Sequence, residues 1–277
     1  MADPVMLAAV CNESTLAASV VQGLAAVVDD SLTFPAAVVV VTPPTGIDAI
    51  PDMILWLKSD AGLYLDTAHT IAAGGGDSIG AWLDQSPSAN HTTQGTNASQ
   101  PSISFLTLNS RPLVVFSAFA KNWLNITSAL SLGAANDYTI YYVGKTSIGN
   151  NTTWACLCSS TTNAIIGLYN TSGAKMQDSS GTSQTLTATY SASLPVAARA
   201  RKSSSSYAWK QNGATEQTAF NPILSTFTLD AVGIGLSPGG TNYGGFIGEI
   251  IVYARALTTT EMATVETYLT GRWALTV

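Results

Sequence analysis

The groups of this chain that could do chemistry are few, and their spacing argues against most reactions. Its histidines are His69 and His91, each in a polar loop, and His91 lies between Asn90 and Thr92. General acid–base catalysis needs a titratable group held against its substrate, and two loop imidazoles supply no such frame. No G-x-S-x-G turn accompanies them, so a Ser-His-Asp hydrolase is not expected. Cys156 and Cys158 are two apart on an apparent strand, sharing a face, where a disulfide would be strained. Cys11 stands alone, and the three thiols read as small apolar residues of a reducing compartment. No second Cys/His cluster completes a zinc set, and no metal or other cofactor is expected. Asp84 precedes Gln85-Ser86-Pro87, where its carboxylate can accept backbone N–H bonds in an Asx turn. Without a second carboxylate nearby in sequence, calcium is not expected there. Glu249 is the one acid inside a strand, with no acidic partner at i+2 or i+4. It reads as an acceptor pairing with Arg255 or Arg111. Asp84, Arg111, Glu249 and Arg255 are thus structural residues, and no catalytic set is expected.

Binding chemistry has better candidates. A sugar site uses aromatic rings against the apolar face of a pyranose, with Asn, Asp and Gly around them. Trp123, Trp154, Tyr207, Trp209 and Tyr243 are the candidate ring platforms. The competing reading is that six Trp and ten Tyr in a large β domain pack its core.

The elements that would position these residues are mostly strands. Ile247–Tyr253, a β-branched run after a Gly-rich turn, predicts a strand buried on both faces. Thr258 and Glu261 have capping-box spacing, and Met262, Val265, Leu269 and Trp273 form a helical stripe that can lie on a sheet. Gly271 is placed to end that helix. Period-2 or apolar runs predict strands at residues 53–58, 111–116, 137–145, 154–158, 164–169, 185–190, 196–202, 207–211 and 231–235, with a shorter one at Leu63 and Leu65. Ala72–Ser78 is a Gly-rich loop, and Asn212-Gly213 has the composition of a type I′ turn. Ahead of all this lies an arm, residues 1–50, rich in Ala and Val. It has a weak helical stripe at Leu16, Val20, Leu24 and Val27, a strand candidate at Pro35–Val41, and a linker around Pro43-Pro44.

Charge separates the two parts. Only 10% of residues are charged and the net charge is −6. The first base is Lys58, and six acids precede it; the remaining eleven acids face eleven bases. Nothing makes a phosphate-binding stripe, so nucleic acid is excluded as a partner. No run reaches the roughly 18 apolar residues of a membrane span. Met1-Ala2-Asp3-Pro4 lacks the basic start of a secretory signal, which predicts synthesis in a cytosol.

The run from Phe246 to Leu257 resembles the "G-x-I-x-E-[IV]-x-[IV]-Y-x-R-x-L" segment that closes concanavalin A-like, laminin-G-like jelly rolls. Leu55–Gly62, Ala81–Ser86, Arg111–Phe116 and Trp209–Gly213 add matches, so the resemblance covers roughly residues 53–277. Pro87 and Ala89 replace two glycines of the family's W-x-D loop. The resemblance implies an all-β, concanavalin A-like (laminin-G-like) jelly-roll sandwich at 51–277, with the N-terminal arm at 1–50 and a short C-terminal helix. It is specific for fold and nearly silent about activity. Glycosidases of this fold carry an E-x-D-x-x-E strand, which is absent here. Such domains occur in bacteriophage virion proteins and in bacterial surface or secreted proteins. The expectation is a non-enzymatic virion protein, a capsid decoration protein or a head or tail fibre component. It would be a homo-oligomer, attached through residues 1–50 to a major capsid or tail protein and able to touch a host-surface glycan. The arm has a second reading, as one more strand and helix of the same fold. The alternative function is a carbohydrate-binding module of a bacterial secreted or cell-surface protein.

Overall fold

The organising strand of the molecule is β17 (Gly245–Tyr253), buried along nearly its whole length as its β-branched sequence requires. In the computed structural model it runs antiparallel to three neighbours at once. Its whole length pairs with β8 (Tyr138–Thr146), its first residues with β6 (Arg111–Phe116), and Glu249–Tyr253 with β1 (Met53–Lys58). The described residues are 46–117, 120, 122–132, 136–146, 157–162, 164–169, 173–177, 183–187, 194–220, 227–233 and 243–277. They belong to one compact unit, Pro43–Val277. The arm helix and strand, Trp154, Cys11 and Cys156 lie outside the described residues.

Two antiparallel sheets form the sandwich. The first runs in the order β15 (Gln217–Phe220), β14 (Ser206–Gln211), β13 (Val196–Ser203), β8, β17, β6 and β5 (Ser102–Leu108), with β1 added on β17. The second runs β12 (Ser183–Thr187), β11 (Gly173–Gln177), β10 (Ile165–Tyr169), β9 (Leu157–Cys158), β16 (Phe227–Val232), β7 (Leu124–Leu132), β4 (Thr92–Thr93), β3 (Ala81–Trp82) and β2 (Leu63–Tyr64). Alternate residues of each strand face the partner sheet. Leu55, Leu57, Val114, Phe116, Ile140, Ile250 and Val252 thereby meet Trp82, Leu124, Ile126, Leu132, Leu157 and Leu229 in the main core. The architecture is the jelly-roll sandwich that the resemblance implies.

A second core lies on the outer face of the first sheet. There the helix α1 (Thr259–Trp273) packs Val265, Leu269 and Trp273 on Tyr141, Val143, Ile251 and Tyr253. Its capping box forms as the sequence predicts, Glu261 N–H donating to Thr258 Oγ1 and Thr258 N–H to Glu261 Oε2. The helix does not stop at Gly271. It continues to Trp273, whose burial extends the apolar stripe by one more turn, and Ala274 takes the left-handed capping position at φ 55°. Ile47 and Ile50 are buried in the same core, and Tyr253 Oη donates to the Ile47 carbonyl. The core therefore begins before residue 51.

Three further differences have local causes. β5 and the long β7 are strands that the sequence pattern hid, because register shifts break their alternation. Among the described residues the strand ahead of β17 is Phe227–Val232, which begins four residues before the predicted 231–235, and Gly233 follows it at φ 93°. Asn212 and Gly213 both take positive φ, yet they open a five-residue connection to β15 rather than a two-residue turn.

Candidate functional site

Most of the residues with chemical potential are consumed by the structure. Glu249 is 1% exposed and accepts from four donors. Trp56 Nε1 and Tyr268 Oη reach its Oε1 at 2.6 and 2.8 Å. Arg272 Nε and Trp273 Nε1 reach Oε2 at 2.8 and 2.6 Å. The expected partners are thus wrong, because α1 rather than the adjoining loops carries the matching cation. Arg255 instead pairs with Glu261 at 2.6 Å and with Asp52 at 3.3 Å. Burial and the charge of Glu249 push the Tyr268 phenol well above its ordinary range, so it stays a donor.

Asp84 is buried and takes the Asx role. Its Oδ1 accepts from the Trp56 and Ser86 N–H groups, and its Oδ2 from Ser86 Oγ and Asn90 N–H, all at 2.7–2.8 Å. His91 is no exposed loop residue: its Nδ1 accepts the Asp84 N–H, and its ring lies 5.6 Å from that of His69. Among the described residues no three His, Cys, Asp or Glu side chains converge to hold a metal ion. No helix among them is long and apolar enough to cross a membrane.

The predicted ring platforms are mostly interior. Tyr207 and Trp209, two apart on β14, point into the main core, and Trp209 Nε1 donates to Gln211. Tyr243 is buried, with its hydroxyl 2.6 Å from that of Tyr142 and its ring edge-on to Phe116. Strand alternation that carries one aromatic inward carries its i+2 neighbour inward too, so these rings present no face to a ligand. Trp123 is partly buried against Cys158 and Ala231.

The structure builds a different site, where the edge strand β2 of one sheet faces the edge strand β5 of the other. A groove of about 370 Å³ lies between the turn Ser59–Leu63, the loop Ala72–Gly75, Ile103-Ser104 of β5, and Pro112. Ser59 Oγ is fixed by donating to the Pro112 carbonyl at 2.6 Å. Asp60 is the one charged side chain lining the groove. Arg111 Nη1 lies 2.8 Å from its Oδ2, and Arg272 pairs with its Oδ1. Burial alone would raise the Asp60 carboxyl. The Arg272 guanidinium, with hydrogen bonds from both arginines and the charge of Lys58, holds it below the usual carboxylate range instead. Asp60 is therefore an anionic acceptor at the wall of the groove, its charge offset by Arg111 and Arg272.

Phe105 follows the lining residue Ser104 on β5 and is 83% exposed. Between Ile103 and Thr107 four steps of β5 oppose two of β6, from Val114 to Pro112. That irregularity turns Phe105 outward from the face Ile103 occupies. The phenyl ring rests on the Gly75–Gly76 backbone: a Cβ on Gly76, at φ 88°, would come within 2.5 Å of Phe105 Cζ. The ring is thus in contact with this glycine pair and otherwise exposed to solvent. Asp77 braces the loop by accepting the Gly74 N–H at 2.8 Å. Sequence reasoning missed Asp60 and Phe105 altogether; the Gly74-Gly75-Gly76 run was the one legible sign, and it reads as a mere flexible loop.

Two other depressions are less polar. One of about 530 Å³ runs along α1 beside Gly46 and Ile47, and one of about 210 Å³ lies among Leu106, Leu108, Leu113, Pro195 and Phe246. Neither is lined by a carboxylate.

Comparison with known proteins supports the architecture. No family model matches the chain, and no curated protein matches it in sequence. Among solved structures it is similar to a GH54 α-L-arabinofuranosidase soaked with a cyclic sulfate inhibitor. That match has a TM-score of 0.54 and 13% identity over 80% of this chain and 64% of the other. It is similar also to the ligand binding domain of botulinum neurotoxin serotype D in complex with N-acetylneuraminic acid. That one has a TM-score of 0.54 and 13% identity over 83% of this chain and 55% of the other. The chain thus spans less than two thirds of the length of either. At such identity the likeness is one of fold, and the fold is a lectin-like jelly-roll β-sandwich.

Proposed function

We propose that this chain is a carbohydrate-binding β-sandwich module, of a secreted or cell-surface protein, that holds a glycan in the groove between β2 and β5. The observation that carries the reading is a groove lined by the Asp60 carboxylate and by the glycine loop against which the exposed Phe105 ring lies. A pyranose or furanose has an apolar face for such a ring and hydroxyls that donate to a carboxylate. A sugar ligand is compatible with the architecture, since the similar neurotoxin domain is complexed with N-acetylneuraminic acid. The module is read as non-catalytic: Glu249, the acid inside the central strand, has its oxygens occupied by four donors and no access to a ligand. The virion role expected from the sequence rests on the arm, whose residues 1–45 lie outside the described ones, and no observation here favours it over the module.

The test is a glycan array on the full chain, followed by titration of the hits with Phe105→Ala. Removing a ring worth about 1.5–3 kcal/mol of apolar burial weakens binding roughly ten- to a hundredfold. An array without hits, or hits indifferent to Phe105, would sink the proposal.

A further inference from the structure

We infer that the groove selects uncharged glycans and rejects acidic ones, with Asp60 as the specificity-determining residue. The inference rests on the reading of this groove as the glycan site. Its basis is the charge arrangement around the cleft. Arg272 divides its guanidinium between Asp60 and the buried Glu249, with Nε 2.8 Å from Glu249 Oε2. Arg111 gives Nη1 to Asp60 and Nε to the Arg272 carbonyl at 3.1 Å. Two cations thus pair with two carboxylates, and of these four groups Asp60 alone lines the cleft. Lys58 sets its ammonium 4.9 Å from the centroid of the Trp56 ring. On the opposite rim the exposed Asp77 carboxylate holds the Gly74 N–H.

A ligand entering between the two walls meets Asp60 on one side and the Asp77-braced loop on the other. Hydroxyl groups donate to a carboxylate in strong, charge-assisted bonds. A ligand carboxylate would instead be placed against like charge, which disfavours the wrong partner more than it weakens the right one. Apart from Ser59 and Ser104 the remaining wall is apolar or glycine, with Leu63, Ile103 and Pro112 its larger members, and these offer an acid nothing in exchange.

The experiment uses the full chain on an array of matched pairs, each a neutral oligosaccharide beside the uronic-acid oligosaccharide that differs only by oxidation at its terminal carbon. Neutral members should bind about tenfold or more tighter than their acidic counterparts at low salt, with a smaller gap at about 0.5 M salt, where the repulsion is screened. Asp60→Asn should shrink the gap to roughly threefold or less. Asp77→Asn, on an exposed loop, should narrow it too and stands in if the first variant melts early. Acidic members that bind as tightly as neutral ones, while Phe105→Ala still weakens both, would overturn the selectivity and leave the site standing. Binding to neither member of any pair, or binding that Phe105→Ala leaves unchanged, would remove the site and the selectivity together.

Discussion

At the scale of the residue, the molecule spends its acids on structure. Glu249 replaces the water it loses on burial with four donors from β1 and α1, and it neutralises Arg272. Glu249→Gln would turn one acceptor oxygen into a donor facing donors and would leave Arg272 short of its buried partner. The expected loss is about 3–5 kcal/mol, measured by urea unfolding. Glu261 is a case where pH reports directly. The Arg255 guanidinium, against some opposition from burial, and the hydrogen bonds of the capping box hold its carboxyl down to about 2, from an ordinary 4.5. A folded value below the unfolded one means the contribution is complete above about pH 4.5 and is lost as pH falls towards 2. Melting temperature should therefore drop across that window, and Glu261→Gln should flatten the drop. An unchanged acid limb in the variant would show that other carboxylates govern it.

At the scale of the element, α1 joins sheet to terminus by close approach. Gly248 lets the Trp273 ring come within about 3 Å of where a Cβ would sit, which fixes why a glycine interrupts an otherwise β-branched strand. Gly271 has no such duty: a Cβ there meets nothing within 4 Å, inside a helix that runs on to Trp273. Gly271→Ala should stabilise the domain by about 1 kcal/mol, read as a rise in melting temperature. A neutral or lower melt would mean that the last turn frays and that the sequence reading of a stop at Gly271 describes the helix better. The capping box and the buried stripe were legible because they depend on neighbours three and four residues apart. The true stop was not, because it is set by the contact of Trp273 with Glu249, 24 residues away.

At the scale of the whole molecule, the outer core decides where the domain begins. Ile47 and Ile50 are 3% and 2% exposed beneath α1. A chain begun at residue 46 should melt cooperatively, whereas one begun at residue 51 loses two buried isoleucines, about 3–6 kcal/mol of burial. Against a typical total stability of about 5–15 kcal/mol, that difference is large, and thermal melts of the two will show it. Equal melts would make the segment peripheral and restore the sequence boundary.

What the sequence by itself determined is whatever is local. It marked β17 as a central strand, the capping box of α1, the Asx turn of Asp84, the alternation of β1, and strands at β6, β8 and β13. Each follows from residue types a few positions apart, and together they name the sandwich. Long-range contacts decide which side chains stay at the surface and which become interior. Tyr207, Trp209 and Tyr243 are aromatic in sequence and interior in space, because all three are buried in the core between the sheets. Phe105 looks like one more core residue until an irregular pairing with β6 turns it out onto Gly75 and Gly76. Asp60 acquires its partners from residues 51 and 212 positions away. The groove exists because two edge strands from different sheets come to face each other, and nothing in a linear order of residues encodes that meeting.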